Sequence, residues 1–288
     1  MTILVTGATG LVGRHVVTEL TQRGADVRAF VRNPETAGLP AGVALARGDL
    51  LDVDALRDAL TGVSTLFLLN AVVPDEFTQA LLALDLAREA GIERIVYLSV
   101  IHGERYLNVP HFAGKLAVER MIEDAGLAAT ILRPAYYMNN DLMIRDVVRN
   151  HGIYPMPIGG RGLAMIDVRD IAEIAALELL RREGSDDVLP LARLNLVGPD
   201  TLTGADAAAI WSDVLGREIT YPGEDLAAFE AAQRAFMPGW MARDMRLMAE
   251  RFASEGMRPD AGDVDRLTGM LGRPLRTYRD FVTEIAAA

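Results

Sequence analysis

The chain has 288 residues, half of them hydrophobic (50%), and a formal net charge of −11. This composition predicts a folded protein of one large or two modest domains, and the negative charge disfavours binding to nucleic acid. The sequence contains no cysteine, which excludes disulfides, thiol nucleophiles and thiolate metal sites, and its four histidines are too scattered to predict a metal site.

Membrane insertion is also disfavoured. No apolar run approaches the roughly 18 residues of a membrane-spanning helix, and the first residues lack the basic stretch of a secretory signal. We therefore expect a cytoplasmic protein that acts on a small molecule, without nucleic-acid or membrane partners, as a monomer or a homodimer.

The chain opens with a short apolar run followed by three evenly spaced glycines. Residues 3–5 predict a strand, and residues 11–20 predict a helix. Between them lie Gly7, Gly10 and Gly13, which would allow a sharp turn, close approach of the backbone to phosphate, and tight packing of helix on strand. Because a helix N-terminus carries partial positive charge, this segment predicts a pyrophosphate-binding loop.

The first half of the chain then repeats one pattern of helix, glycine, short polar step and apolar strand. The glycines, each in the position of a left-handed helix C-cap, are Gly24, Gly62, Gly91 and Gly126. The strands are predicted at residues 27–31, 43–46, 63–69, 95–99 and 127–132. Such near-continuous apolar strands suit a parallel sheet buried on both faces. The pattern predicts an α/β fold with a Rossmann-type, doubly wound parallel sheet.

The pattern changes after Arg133-Pro134. Helices are predicted at residues 139–150, 170–182 and 205–215, strands at 195–197 and 218–221, and a mainly helical chain from 225 onward. Asp170 is a candidate N-cap. We assign residues 1–135, with 163–198 returning to them, to a dinucleotide-binding domain. Residues 136–162 and 199–288 are assigned to a smaller, mostly helical substrate-binding region.

The end of the second strand predicts which dinucleotide binds. An NAD site usually has Asp or Glu about 20 residues past the glycines, where it accepts hydrogen bonds from the ribose. Here the strand is followed by Arg32-Asn33-Pro34, and a guanidinium suits the 2′-phosphate of NADP. We therefore predict NADP(H) in preference to NAD(H). The alternative is that Arg32 is a solvated loop residue.

Two polar residues at later strand ends are further candidates for cofactor binding. Asp49 could accept a hydrogen bond from the adenine amine, or it could cap a helix that starts near Asp52. Asn70 follows the fourth strand, and ligands in open α/β sheets bind beyond the carboxyl ends of strands. It is therefore placed for the cofactor ribose or diphosphate, the alternative being that it only shapes a turn.

The sequence resembles the atypical short-chain dehydrogenases/reductases, specifically the NmrA-like group. The matching segments, in the family's order, are Thr6–Gly13, Val31–Pro34, Gly48–Leu50, Tyr97–Ser99, Lys115, Leu132–Pro134 and Asp167–Asp170. The resemblance implies a Rossmann-type fold that binds NADP(H) or NAD(H). Such proteins include quinone and azo-dye reductases and non-enzymatic redox sensors. We predict additional cofactor contacts from Thr9, Leu11, Val12, Leu50 and Ser99.

The catalytic centre departs from the family pattern. Short-chain dehydrogenases carry Tyr-x-x-x-Lys, in which tyrosine donates a proton and lysine holds the nicotinamide ribose. Here the segment runs from His111 to Lys115, and these two residues share a helix face. We expect Lys115 to hold the ribose; the alternative is an ordinary exposed lysine. His111 has three interpretations: a general acid, a pocket residue without proton transfer, or a solvent-facing residue at a helix start.

Two groups of apolar side chains are candidates for substrate binding. Tyr136, Tyr137 and Met138 follow the sixth strand, where they would form a wall for a flat substrate or pack against C-terminal helices. A second group would line the mouth of the site or, more commonly for methionines at helical spacing, fill gaps in the core. This group consists of Met237, Trp240, Met241, Met245 and Met248.

Together these features predict an NADPH-dependent oxidoreductase. It would transfer a hydride to a small conjugated or aromatic acceptor such as a quinone, with Lys115 and His111 as catalytic residues. The alternative is a non-catalytic redox sensor that binds NADP(H). An isomerase or epimerase that retains its cofactor is a weaker alternative.

Overall fold

The computed structural model describes residues 1–287, and within that range seven strands form one sheet. The strands are β1 (Thr2–Val5), β2 (Asp26–Val31), β3 (Ala44–Arg47), β4 (Val63–Leu68), β5 (Ile95–Leu98), β6 (Ala129–Pro134) and β7 (Ala192–Leu196). Their order is β3-β2-β1-β4-β5-β6-β7, and the pairs from β3 to β6 are parallel. This is the Rossmann order with one added strand, so the predicted fold class is confirmed.

Most helices lie close to the predicted positions, but the helix predicted at residues 139–150 is a 3-10 helix at Met138–Met143 followed by a short α-helix that begins at Arg145. The α-helices are α1 (Leu11–Gln22), α2 (Val53–Leu60), α3 (Glu76–Glu89), α4 (Pro110–Asp124), α5 (Arg145–His151), α6 (Val168–Glu183), α7 (Gly204–Leu215), α8 (Leu226–Gln233), α9 (Gly239–Glu255), α10 (Asp263–Leu271) and α11 (Tyr278–Ala287). Within residues 1–287, each is too short or too polar to cross a bilayer.

The ends of the helices test the predictions that were made from short sequence patterns. All four glycines predicted to end helices have φ between 65° and 78°, in the left-handed region that favours glycine. Other local predictions are wrong. Asp170 lies inside the first turn of α6 and is not its N-cap residue, because the helix begins at Val168. The strand predicted at 218–221 is reduced to a single bridge between Ile153 and Thr220.

Burial follows the position of each strand in the sheet. Leu4 of β1, Leu66 of β4 and Ile131 of β6 are fully buried, as predicted for strands covered on both faces. The strand β3 is the exception, since Leu45 is 44% exposed. This strand lies at the edge of the sheet, where an apolar sequence does not ensure burial.

The chain divides into two compact units. The first comprises Met1–Val100, Gly114–Arg133 and Val168–Leu194, and in it α1 packs against α6 while α2 packs against α3. The second comprises Ile101–Ala113, Pro134–Asp167 and the chain from Asn195 onward. In this second unit α8 packs against α9, and α7 packs against α11.

Candidate cofactor and active site

The loop between β1 and α1 has a geometry that side chains would disrupt. Gly7 has a φ of 61°, and a Cβ on it would lie 2.8 Å from the carbonyl oxygen of Leu69. A Cβ on Gly13 would lie only 2.2 Å from the carbonyl oxygen of Gly7. The N–H of Gly10 donates to that same oxygen over 2.9 Å. The start of α1 is therefore packed directly against the loop.

This packing leaves the N-terminus of α1 suited to an anion. Gly10 is the N-cap, and within residues 1–287 no side chain caps this helix end. The first turn contains no acidic residue that would compete with a phosphate. Val12 is buried, whereas Thr9 and Leu11 are exposed beside the turn. Because first-turn N–H groups have no acceptor inside a helix and carry partial positive charge, the loop fits a dinucleotide diphosphate.

Two arginines lie at neighbouring strand ends. Arg32 follows β2 directly and is exposed, and over the described chain its guanidinium makes no hydrogen bond or ion pair. Arg47 ends β3 and is the register partner of Val31 in β2. Its guanidinium lies 4.0 Å from Glu35, and both side chains are largely exposed. Arg47 was not predicted from the sequence as a site residue, although it directly precedes the Gly48-Asp49 motif.

Asp49 and Asp52 have different roles in the turn after β3. The carboxylate of Asp49 accepts the N–H of Leu51 over 3.0 Å and remains exposed. Asp52 is the N-cap of α2 and accepts the N–H of Ala55 over 3.0 Å. The capping alternative for Asp49 is therefore wrong. Its contact with adenine, like that of the partly buried Leu50, stays a prediction.

Asn70 has a buried oxygen that needs a donor. Its Nδ2 lies 3.4 Å from Oε1 of Gln79, to which it donates. Its Oδ1 is buried and has no hydrogen-bond partner within residues 1–287. An unpaired buried amide oxygen is costly, so a ligand hydroxyl at this position would complete its hydrogen bonding.

Lys115 lies in a buried ion pair. Its Nζ is 2.6 Å from Oε1 of Glu76, the first residue of α3, and each side chain is only 11% exposed. The alternative of an ordinary exposed lysine is therefore wrong. Glu76 was missed because it lies 39 residues earlier in the chain. The sequence held another signal: among 29 lysines and arginines, Lys115 is the only lysine.

The end of β5 is occupied by a buried polar network. The hydroxyl of Ser99 donates to the carboxylate of Glu119, which also accepts the Nε–H of Arg133 over 3.1 Å. Burial raises the pKa of Tyr97 well above its usual value, and the carboxylates of Glu76 and Glu119 raise it further. The Tyr97 hydroxyl thus stays protonated. The predicted contact of Ser99 with the cofactor stays a prediction.

His111 is held by Asp244, a residue that sequence analysis missed. The imidazole Nδ1 lies 2.5 Å from Asp244 Oδ1, and the backbone N–H of His111 donates to Oδ2 over 3.0 Å. The side chains are 9% and 1% exposed, respectively. The interpretation of His111 as a solvent-facing residue is therefore wrong.

The segment after β6 is fixed by packing. Tyr136 and Met138 are buried, and the ring of Tyr136 meets Phe252 edge-on at 5.7 Å between centroids. The carbonyl of Tyr136 accepts the N–H of Ile166 over 2.9 Å. Tyr136 thus makes the predicted contact with a C-terminal helix, since Phe252 lies in α9. Contacts of Tyr136, Tyr137 and Met138 with substrate stay predictions.

The second apolar group is not part of the core. Trp240 is 40% exposed, and the methionines predicted to fill gaps are all only partly buried. These are Met237, Met241, Met245 and Met248. The core-filling interpretation is wrong for this group.

A Rossmann-ordered sheet with a glycine loop after its first strand defines the class of this protein as dinucleotide-binding. The chain belongs to the NmrA-like family, whose model matches residues 1–281, as the sequence resemblance predicts.

Individual relatives match over almost the whole chain. It is 31% identical over 291 aligned residues to the NAD(P)H azoreductase of Xenophilus azovorans, covering 99% of this chain and 98% of that protein. It is 29% identical to quinone oxidoreductase 2 of Escherichia coli, covering 98% of each. The structure of the latter enzyme, NADPH-dependent and complexed with NADPH, superposes with a TM-score of 0.86 at 26% identity, covering 98% of this chain and 99% of that one.

Proposed function

We propose that this protein is an NADPH-dependent reductase that transfers a hydride to a small conjugated acceptor of quinone or azo type. The observation that carries the proposal is the glycine loop, whose packing leaves the N-terminus of α1 open to a diphosphate. The azoreductase and quinone oxidoreductase relatives support this class of acceptor. The proposal includes a cytoplasmic location and a monomeric or homodimeric state.

Different parts of the first unit would hold different parts of the cofactor. The loop from Gly7 to Gly13 would hold the diphosphate, and Arg32 with Arg47 would hold the 2′-phosphate. The buried Oδ1 of Asn70 would accept a ribose hydroxyl. Bound NADPH would supply the hydride, so the protein's contribution is positioning and electrostatics.

Lys115 would hold the nicotinamide ribose. An ammonium has three N–H donors, and Glu76 accepts one of them, which leaves two for the ribose hydroxyls. Glu76 also neutralises the buried charge and limits the motion of a flexible side chain. The chain otherwise uses arginine at every basic position. We infer that this position needs a compact ammonium rather than a planar guanidinium.

The test is turnover of NADPH with a panel of quinones, azo dyes and simple ketones. We expect the purified protein to oxidise NADPH with quinones or azo dyes. Lys115→Arg keeps the charge but misplaces the donors, so we expect its kcat to fall by about 100-fold, the loss typical of a 1 Å misplacement. Arg120→Lys is the matched control, because Arg120 is an exposed residue of the same helix.

Two results would contradict the proposal. Tight binding of NADPH without oxidation by any acceptor would favour the redox sensor. Full activity in Lys115→Arg would show that the ammonium is not required.

A further inference from the structure

We propose that His111 and Asp244 form a proton-donating pair for the acceptor. In this pair His111 is a catalytic residue whose Nε2 delivers a proton to the acceptor, and Asp244 is a positioning residue that holds the imidazole. The inference rests on the proposed reductase function. It supplies the proton donor at the position where the related short-chain dehydrogenases have tyrosine.

The hydrogen bonds of Asp244 fix the protonation pattern of the ring. Its Oδ1 lies 2.5 Å from Nδ1 of His111, and its Oδ2 accepts the backbone N–H of the same residue over 3.0 Å. A carboxylate can only accept, so Nδ1 must carry a hydrogen. The neutral ring therefore has its lone pair on Nε2. When the ring is protonated, Nε2–H is the proton that can be transferred.

This arrangement exceeds what a helix cap requires. A cap for the N-terminus of α4 needs only one oxygen of Asp244 on the backbone N–H. The second oxygen instead engages the imidazole, and the ring also meets that of Phe112 at 4.4 Å between centroids. The side chain of Asp244 is 1% exposed. The ring is thus held in one orientation by buried contacts.

The position of His111 on α4 relates it to the proposed cofactor contact. His111 and Lys115 belong to one continuous helix, Pro110–Asp124. Four residues advance about 6 Å along a helix axis and return to the same face. If Lys115 holds the nicotinamide ribose, His111 lies one turn from it, on the same face of the helix.

The helix that carries Asp244 also offers a surface for an apolar acceptor. Three apolar residues share the face of α9 that carries Asp244. Trp240 and Met241 lie four and three residues before Asp244, and Met248 lies four residues after it. Trp240 is 40% exposed, and both methionines are partly exposed. Flat aromatic and polarisable side chains suit a conjugated acceptor.

The proton and electron balance of the step is complete. The acceptor gains a hydride, which is one proton with two electrons, from the reduced nicotinamide, which is oxidised. The acceptor oxygen or nitrogen that becomes negative takes the proton from Nε2 of the imidazolium, so an N–H bond breaks and an O–H or N–H bond forms. His111 is left neutral with Nδ1–H still donated to Asp244, and water restores the proton on Nε2.

The first experiment tests the positioning without cofactor or substrate. Nitrogen-15 NMR of the ring distinguishes the two tautomers, and His111→Gln assigns the signal among the four histidines. We expect the Nδ1–H form in the wild-type protein. In Asp244→Asn, the amide can turn its NH2 group toward Nδ1, so we expect the Nε2–H form. An unchanged Nδ1–H signal in Asp244→Asn would overturn the positioning role.

The second experiment tests proton delivery. We expect kcat to fall about 100-fold in His111→Phe and in Asp244→Asn, as is typical when a general acid is lost or disoriented. His111→Tyr restores a hydroxyl donor, so we expect it to recover turnover. Because tyrosine does not need Asp244 for its orientation, adding Asp244→Asn to His111→Tyr should lower kcat only slightly. Thermal unfolding of each variant serves as the control that a loss of turnover is not caused by a loss of the fold.

The outcomes separate this inference from the proposed function. Full turnover in His111→Phe would overturn the proton-donating pair while the reductase function stands. If the wild-type protein reduces no acceptor, the reductase function fails, and proton delivery fails with it even where the Nδ1–H tautomer is observed.

Discussion

At the scale of single residues, Asp141 shows how burial changes the chemistry of a carboxyl group. Its Oδ2 accepts the hydroxyl of Tyr154 over 3.0 Å and also that of Tyr278, which itself accepts the indole N–H of Trp211 over 3.0 Å. Burial raises the pKa of Asp141 to about 7, although the two tyrosine hydrogen bonds lower it. The acid is thus half protonated near neutral pH.

This raised pKa makes stability depend on pH. The ordinary pKa is 3.8, so the folded protein holds the proton more tightly than the unfolded chain. The stabilisation is complete below about pH 4 and is lost as the pH rises through 7. Between pH 5 and pH 8 we expect this group to lower the free energy of unfolding by about 3 kcal/mol. In urea unfolding, Asp141→Asn should not show this decrease in the free energy of unfolding between pH 5 and pH 8.

Asp146→Asn is the matched control, because Asp146 is a mostly exposed acid of the neighbouring helix α5. Its unfolding curve should keep the pH dependence of the wild-type protein. The assignment to Asp141 would be wrong if Asp141→Asn and Asp146→Asn lost stability equally between pH 5 and pH 8.

At the scale of elements, the strand–loop–helix start of the chain is tightly constrained. The helix α1 packs so closely on its loop that Gly13 has no room for a methyl group. In Gly13→Ala the backbone of Gly7 must move, and we expect a loss of about 1–3 kcal/mol in stability together with weaker NADPH binding. Chemical unfolding and a cofactor titration would measure both effects.

Gly269→Ala provides the control for this prediction. Gly269 lies inside α10, and apart from its chain neighbours and the backbone of its own helix no atom of residues 1–287 lies within 4 Å of a Cβ built there. Alanine is the better helix former, so we expect this variant to gain about 0.5–1 kcal/mol. If Gly13→Ala behaved in the same way, the close packing of α1 on its loop would be refuted.

At the scale of the whole molecule, the preference for NADPH over NADH should be measurable as a difference in the stability that each cofactor adds to the folded protein. A ligand that binds only the folded chain adds about 2.7 kcal/mol at a concentration 100 times its Kd. We expect NADPH to raise the Tm more than NADH at equal concentration. Arg32→Ala should remove most of that difference, because a charged hydrogen bond contributes about 2 kcal/mol, or roughly thirtyfold in Kd.

An exposed arginine outside the proposed cofactor site serves as the control for Arg32→Ala. Arg88 lies near the end of α3 and is 64% exposed, so Arg88→Ala should leave the difference between the two cofactors intact. Equal loss of NADPH and NADH binding in Arg32→Ala would refute the phosphate role.

The sequence by itself determined the fold class, the family, the glycine loop and the helix-ending glycines. These features follow from backbone torsions and from the periodicity of apolar residues, which are properties of short segments. Local reasoning failed where position in the sheet mattered, as at the exposed Leu45 of β3. It left open whether Asp49 caps the helix that starts near Asp52, and the structure shows that Asp52 itself is the N-cap.

Only the tertiary structure decided which side chains meet at the candidate site. Glu76 reaches Lys115 from 39 residues away, and Asp244 reaches His111 from 133 residues away. The chain has 40 acidic residues, and nothing in the spacing of either pair distinguishes its partner. Partners of buried charges are selected by packing between distant segments, which exists only once the chain has folded.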